Sequence, residues 1–181
     1  MNAGRLIAVV GPSGVGKDSV MAGMIAARPE VRLVRRTITR APGLGGEDYD
    51  AISQDAFDAV AQQGAFCVYW TAHGLSYGIP GDVLTDVQSG KDCLANFSRG
   101  ALLQAADAFP KMIVLNITAS PATLAKRLAG RGRETEAEIA ARLAQADKAL
   151  PCALNIVTIT NDGALEDTIN EALTALQPAR V

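Results

Sequence analysis

The segment Gly11-Pro12-Ser13-Gly14-Val15-Gly16-Lys17-Asp18-Ser19 sets three glycines and a proline ahead of a lysine. It lies between an aliphatic run ending at Val10 and a helical pattern opening at Lys17. Glycines at these intervals let backbone N–H groups converge on the oxygens of an anion, and the following helix adds the positive end of its dipole. Lys17 supplies a point charge toward the β and γ phosphates, so the chemistry is that of holding a nucleoside triphosphate such as ATP. Such loops usually end in Ser or Thr, whose hydroxyl ligates Mg²⁺. Here the position is Asp18, a hard oxygen donor that Mg²⁺ also accepts, with Ser19 as the neighbouring alternative. Further cations fall in three places: Arg36 and Arg40, then Arg99, then Arg127, Arg131 and Arg133. Planar guanidinium forks match phosphate oxygens in pairs.

These side chains need a scaffold, and the apolar spacing describes one. Arg5 to Val10 is a short strand, and Val20, Met24 and Ala27 give Lys17 to Ala27 helical spacing. Val31 to Ile38 reads as a second extended stretch that stops at the turn-forming run Ala41 to Gly46. Ser53 caps a short helix, Phe66 to Trp70 reads as a strand, Gly74 to Gly81 as a glycine-rich loop and Asp82 to Ser89 as a helix. Cys93 to Phe97 and Met112 to Ile117 have the composition of buried parallel strands. Ser120 with Pro121 opens a helix carried by Leu124 and Leu128. Thr135 and Glu138 form a capping box for another, continued by Ile139, Leu143, Ala146 and Leu150. Ile156 to Ile159 is the last strand, and a closing helix carries Leu165, Ile169, Leu173 and Leu176. Strands alternating with helices predict a parallel sheet covered on both faces, with ligands at the carboxyl ends of its strands.

The 181 residues suit one compact domain, and a net charge of -2 provides no basic field for nucleic acid or an anionic membrane. No apolar run reaches the length of a membrane span and no signal peptide opens the chain, so a cytoplasmic location is expected. The three cysteines, Cys67, Cys93 and Cys152, have neither disulfide nor zinc spacing and read as buried thiols. His73 has no metal-ligand partner at suitable spacing.

With these residues in place, the chain resembles the guanylate kinase family over nearly its full length. Thr37-Ile38-Thr39-Arg40-Ala41-Pro42 with Gly46-Glu47 and Tyr49 is similar to the family's acceptor-phosphate segment. Phe66 through His73-Gly74 to Tyr77-Gly78 resembles its nucleobase-side segment, and Leu124 to Glu134 its arginine-bearing lid. The resemblance implies an α/β P-loop NTPase fold with a parallel sheet core at 1–34 and 91–181. It also implies an acceptor-binding insertion at about 35–90 and a short lid at about 127–138. The departures fall where guanine would be read: Gly43 replaces an arginine, Val68 aligns with the base-binding glutamate, and Ile79 replaces a threonine. Sites that hydrogen-bond a substrate discriminate strongly when that bond is lost, so GMP is not the expected acceptor.

Gly-Lys-Asp-Ser at 16–19, Ile-Thr-Arg at 38–40, Trp70 to Leu75, Tyr77 to Pro80, Asn96 with Ser98-Arg99, and Arg131 to Glu134 are similar to a narrower group, the ribose 1,5-bisphosphate phosphokinases of phosphonate catabolism. That resemblance implies ATP and Mg²⁺ as cofactors and a phosphorylated sugar as the partner. Lys17 would then serve ATP, Asp18 the metal, Arg36 and Arg40 one acceptor phosphate, and Arg99 the other. Arg127, Arg131 and Arg133 would serve the transferring group. Glu47, Tyr49, Tyr77, His73 and Ser98 complete the expected acceptor site, with Trp70 either shaping it or packing behind it. Asn161-Asp162-Gly163 is expected to border the adenine. The rival readings are a nucleoside monophosphate kinase, a small sugar kinase and a guanylate-kinase-like binding module without catalysis. The sequence leaves the oligomeric state open.

Overall fold

The computed structural model describes residues 3–146 and 149–177. In chain order the first elements are β1 (Leu6–Val10), α1 (Lys17–Ala27), β2 (Arg32–Leu33), β3 (Thr37–Ile38), β4 (Asp50–Ala51) and α2 (Gln54–Gln62). β5 (Phe66–Ala72), β6 (Leu75–Pro80), α3 (Asp82–Gln88), β7 (Cys93–Asn96) and α4 (Leu102–Ala108) follow, with a single 3-10 turn at Arg99–Ala101 before α4. The chain continues through β8 (Ile113–Thr118), α5 (Pro121–Arg131), α6 (Glu136–Ala146), β9 (Ile156–Thr160) and α7 (Leu165–Ala175).

Five strands form a parallel sheet in the order β2-β7-β1-β8-β9, as the alternation of strands and helices predicts. All five residues of β1 are buried because helices cover both faces. Leu6, Ala8 and Val10 point into one core layer with Leu102, Phe109 and Val114. Ile7 and Val9 point into the other with Val20, Met24, Leu115 and Leu124. The period-2 alternation of a strand thus serves two cores at once.

A second sheet, ordered β4-β3-β6-β5, was not legible as such. The stretch Val31 to Ile38 is not one strand: Arg32–Leu33 pairs with β7 in the first sheet and Thr37–Ile38 with β6 in the second. Arg32 marks the crossing, pinned to Asp82 at 3.0 Å and Asp86 at 2.8 Å. The expected loop at 74–81 is largely β6, the return strand of a hairpin in which Ala72 pairs with Leu75. His73 and Gly74 form its two-residue turn with φ of 52° and 73°, the left-handed pair that matches strand twist. Gly78 sits inside β6 because a Cβ there would come within 2.6 Å of the Phe66 ring.

The helix starts follow their sequence signals. Ser53 Oγ accepts from Ala56 N, Ser120 Oγ accepts from Thr123 N, and Thr135 and Glu138 exchange the two bonds of a capping box. Leu150 lies beyond the described end of α6 and packs against the first core layer instead. The expectation of three buried thiols holds for Cys93, whose thiol burial pushes up to about 11, but Cys67 is half-buried and Cys152 is exposed in the turn after Pro151. No helix among the described residues is long and apolar enough to cross a membrane.

Candidate active site

The loop between β1 and α1 closes on itself. Gly14 and Gly16 take left-handed φ of 84° and 93°, and Val15 N donates to Pro12 O at 3.3 Å. Gly11 lies so close to β8 that a Cβ would stand 2.4 Å from Ile117 O, which fixes the start of the loop against the sheet. Lys17 Nζ donates to Gly11 O at 2.7 Å, folding the lysine back over the loop. Its ammonium is largely desolvated, and this burial draws its pKa from 10.5 to about 8. Asp18 opposes that shift, Arg36 and Arg99 reinforce it, and Glu47 opposes it more weakly. Four of the residues singled out by sequence are therefore near enough to act on its charge.

Asp18 and Ser19 are both exposed in the first turn of α1. Across from them, a Cβ on Gly46 would lie 3.2 Å from Asp18 Oδ2, so the 45–47 segment abuts the phosphate loop.

Arg36 is buried beneath the second sheet and grips Glu47 with two bonds, Nε to Oε1 at 2.7 Å and Nη2 to Oε2 at 2.5 Å. Its Cζ stands 4.8 Å from the Tyr77 ring centre. Tyr77 stacks on Trp70 at 5.5 Å and Trp70 on Phe97 at 5.0 Å, forming a column that joins the two sheets. Trp70 Nε1 donates to Ser98 Oγ at 2.9 Å. Arg40 lies half-buried over the Tyr49 ring at 5.1 Å and touches Leu44 O at 3.4 Å.

Several expected ligands have other employment here. The Tyr49 hydroxyl donates to Ala41 O, bracing the turn rather than standing free for an acceptor. Ser98 Oγ accepts from the indole and keeps its own proton to donate. Arg99 donates to Gln145 O at 3.1 Å and Ala146 O at 2.9 Å, meeting carbonyls left over in the last turn of α6. Arg127 donates to Val15 O at 3.2 Å and Asn161 O at 2.7 Å, so it braces the phosphate loop from behind. Arg131 and Arg133 are exposed and make no hydrogen bond or ion pair among the described residues. His73 is exposed at the hairpin tip, likewise without a hydrogen bond among those residues, and the structure does not join it to the cluster. Val68 and Ile79 are 1% and 0% exposed, paired in register and buried in the first core layer.

Asn161 is the residue whose importance sequence reading missed. It is buried, its Nδ2 donates to Val15 O at 2.8 Å, and its Oδ1 accepts from Thr168 Oγ1 at 2.7 Å. The Asn-Asp-Gly run after the last strand was the available signal, but it pointed to a ligand instead of to the loop. Asp162 accepts from Ser120 N at 2.8 Å, and this bond holds its carboxyl below the usual range.

The geometry invites comparison with proteins of known kind. Residues 3–179 match the family model described as guanylate kinase. The chain is 49% identical over 178 residues to the ribose 1,5-bisphosphate phosphokinase of Ruegeria sp. (strain TM1040), covering 98% of this chain and 94% of that one. It is 42% identical to the protein of the same name from Rhizobium etli (strain CIAT 652), covering 96% and 89%. Among solved structures, the guanylate kinase from Anaplasma phagocytophilum superposes with a TM-score of 0.70 at 18% identity, covering 97% of this chain and 84% of that one, a likeness of fold. Phosphate loop, second sheet and full-length match agree: the chain belongs to the guanylate kinase family.

Proposed function

We propose that the protein transfers the γ-phosphoryl group of ATP to the 1-phosphate of ribose 1,5-bisphosphate, giving ADP and 5-phosphoribosyl 1-diphosphate. The observation that carries this reading is the burial of Val68 and Ile79 at the positions where the family's pattern reads a base. Neither offers a polar atom from its side chain, so a planar base would meet no edge-reading partner there, while the cations beside Lys17 suit an acceptor with phosphate at both ends. The relatives named above carry the same activity in their names.

The nucleophile is an oxygen of the 1-phosphate, anionic at neutral pH, so no general base is needed. It bonds to the γ phosphorus as the bond from that phosphorus to the bridging oxygen breaks, and the electron pair leaves with ADP. Catalysis is then positioning and charge neutralisation. In this reading the loop 11–19 and Lys17 hold the triphosphate, and Arg40 and Arg99 take the acceptor's phosphates. Arg99 would exchange the α6 carbonyls for its ligand. Arg131 and Arg133 approach as the segment at about 127–138 closes over the site and excludes water. The chain works as a single unit, with the acceptor region at about 35–90, and a cytoplasmic setting suits this chemistry.

Mg²⁺ fits the donor set. An exposed carboxylate at Asp18 and an exposed hydroxyl at Ser19 flank the phosphate loop, and Mg²⁺ commonly takes one or two carboxylates together with substrate phosphates and waters. The ion would neutralise charge on the phosphates. Asp18→Ala is expected to raise the Mg²⁺ concentration needed for half-maximal ATP binding by roughly 10-fold or more, on the scale of lost metal-site partners. Titrating ATP binding against Mg²⁺ in both proteins measures this, and an unchanged midpoint removes Asp18 from the metal site.

The deciding assay is ADP release with ribose 1,5-bisphosphate, with GMP and with no acceptor, together with identification of the product. Selective turnover of the sugar bisphosphate is expected. Selective turnover of GMP would return the chain to nucleotide phosphorylation, and silence with both would favour a binding module.

A further inference from the structure

Arg36 and Glu47 form the most buried ion pair among the described residues, with side chains 5% and 15% exposed. A buried pair is a poor source of stability, because desolvating two charges offsets most of their attraction. The arrangement is also more constrained than stability requires. The Nε–Nη2 edge of Arg36 is filled by both oxygens of Glu47, and the guanidinium is set over the Tyr77 ring at the head of the aromatic column. One corner is left over. Nη1 makes no hydrogen bond among the described residues.

The location of that corner follows from the neighbouring backbone. Gly46 abuts Asp18 in the first turn of α1, so Glu47, the next residue, and the arginine it grips stand opposite the phosphate loop. This is the seam between the loop and the second sheet, across which a phosphoryl group passing from one ligand to the other must travel.

We propose that Arg36 is a further catalytic residue whose Nη1 contacts the phosphoryl group in transit, and that Glu47 is a positioning residue acting through it. Glu47 sets the angle of the guanidinium and cancels its charge while the site is empty. Substrate oxygens arriving at Nη1 find a donor already oriented, with no rotamer left to fix. The proposal rests on the phosphotransfer reading above and adds which residue touches the moving group.

The test is a double-mutant cycle with Arg36→Met, Glu47→Gln and both together, the last leaving no unpaired buried charge. Arg36→Met is expected to lower kcat about 100- to 1000-fold, the range for a lost transition-state donor, with KM for ATP changed less than about 3-fold. Arg36→Lys keeps the charge and loses the fork, so it restores little of that activity. Glu47→Gln is expected to lower kcat about 10-fold with KM for ATP changed less than about 3-fold. The double variant is expected to match Arg36→Met within about 3-fold, the sign of a residue acting through another. Losses that multiply would show that Glu47 makes its own substrate contact. Near-native turnover in the folded double variant would reduce the pair to a structural one. The cycle is read on ribose 1,5-bisphosphate, or on GMP if only GMP is turned over, in which case the substrate assignment falls and the Arg36 proposal is still decided. Wild-type protein silent with both acceptors overturns both.

Discussion

Lys17→Met is expected to lower kcat by about 100- to 1000-fold or more, since it removes a preorganised cation from the polyphosphate. The same substitution is expected to raise the melting temperature at pH 7. Lys17 carries its charge at a largely desolvated position, and burial holds its pKa near 8 against 10.5 in the unfolded chain. Between those two values unfolding takes up a proton, so the stability of the unsubstituted protein rises with pH, and the advantage of methionine shrinks over the same interval. The free enzyme loses the ammonium as pH climbs through about 8, whereas bound phosphates favour the charged form. kcat/KM for ATP is therefore expected to fall above that pH while kcat persists further into the alkaline range. Thermal melts and pH–rate profiles measure the two effects, and a variant that loses turnover without gaining stability would show that the buried charge is well compensated.

Asn161→Ala is expected to cost about 2 to 4 kcal/mol, because Val15 O loses one of its donors and the Thr168 hydroxyl loses its buried acceptor. For a chain of this size that corresponds to roughly 4 to 16 °C in Tm. The damage should also reach function. Val15 lies inside the phosphate loop, and Arg127, which donates to the carbonyls of both Val15 and Asn161, shares the same brace. KM for ATP is expected to rise about 10-fold or more, with KM for the acceptor little affected. A rise in both Michaelis constants would mean that the brace supports the second sheet as well.

Much of this was legible because it is written locally. The phosphate loop, the start of α1 and the caps at Ser53, Ser120 and Thr135 depend on residues within eight positions of one another, and the structure places them where the sequence does. The second sheet was not legible because β3 and β4 contribute two residues each, too few for any period to register. Glycine misled at 74–81, where Gly74 makes a turn and Gly78 yields to a ring, each fitting a hairpin instead of a loop. The arginines stood out in the sequence, yet composition does not reveal a partner. Arg36 turned to Glu47, Arg99 to the end of α6 and Arg127 to the back of the loop, all tertiary choices made by groups 11 to 112 residues apart.

Trp70 is the sole tryptophan of the chain. Held between Tyr77 and Phe97, with its indole N–H on Ser98 and a guanidinium over the neighbouring ring, it sits where the two sheets meet. Indole emission responds to stacking, to nearby charge and to the loss of a hydrogen bond, so the molecule carries a built-in optical reporter at the junction of its two sheets. Every ligand that shifts one sheet against the other writes its arrival into a single fluorescence channel, readable in stopped flow without a label and before any product exists.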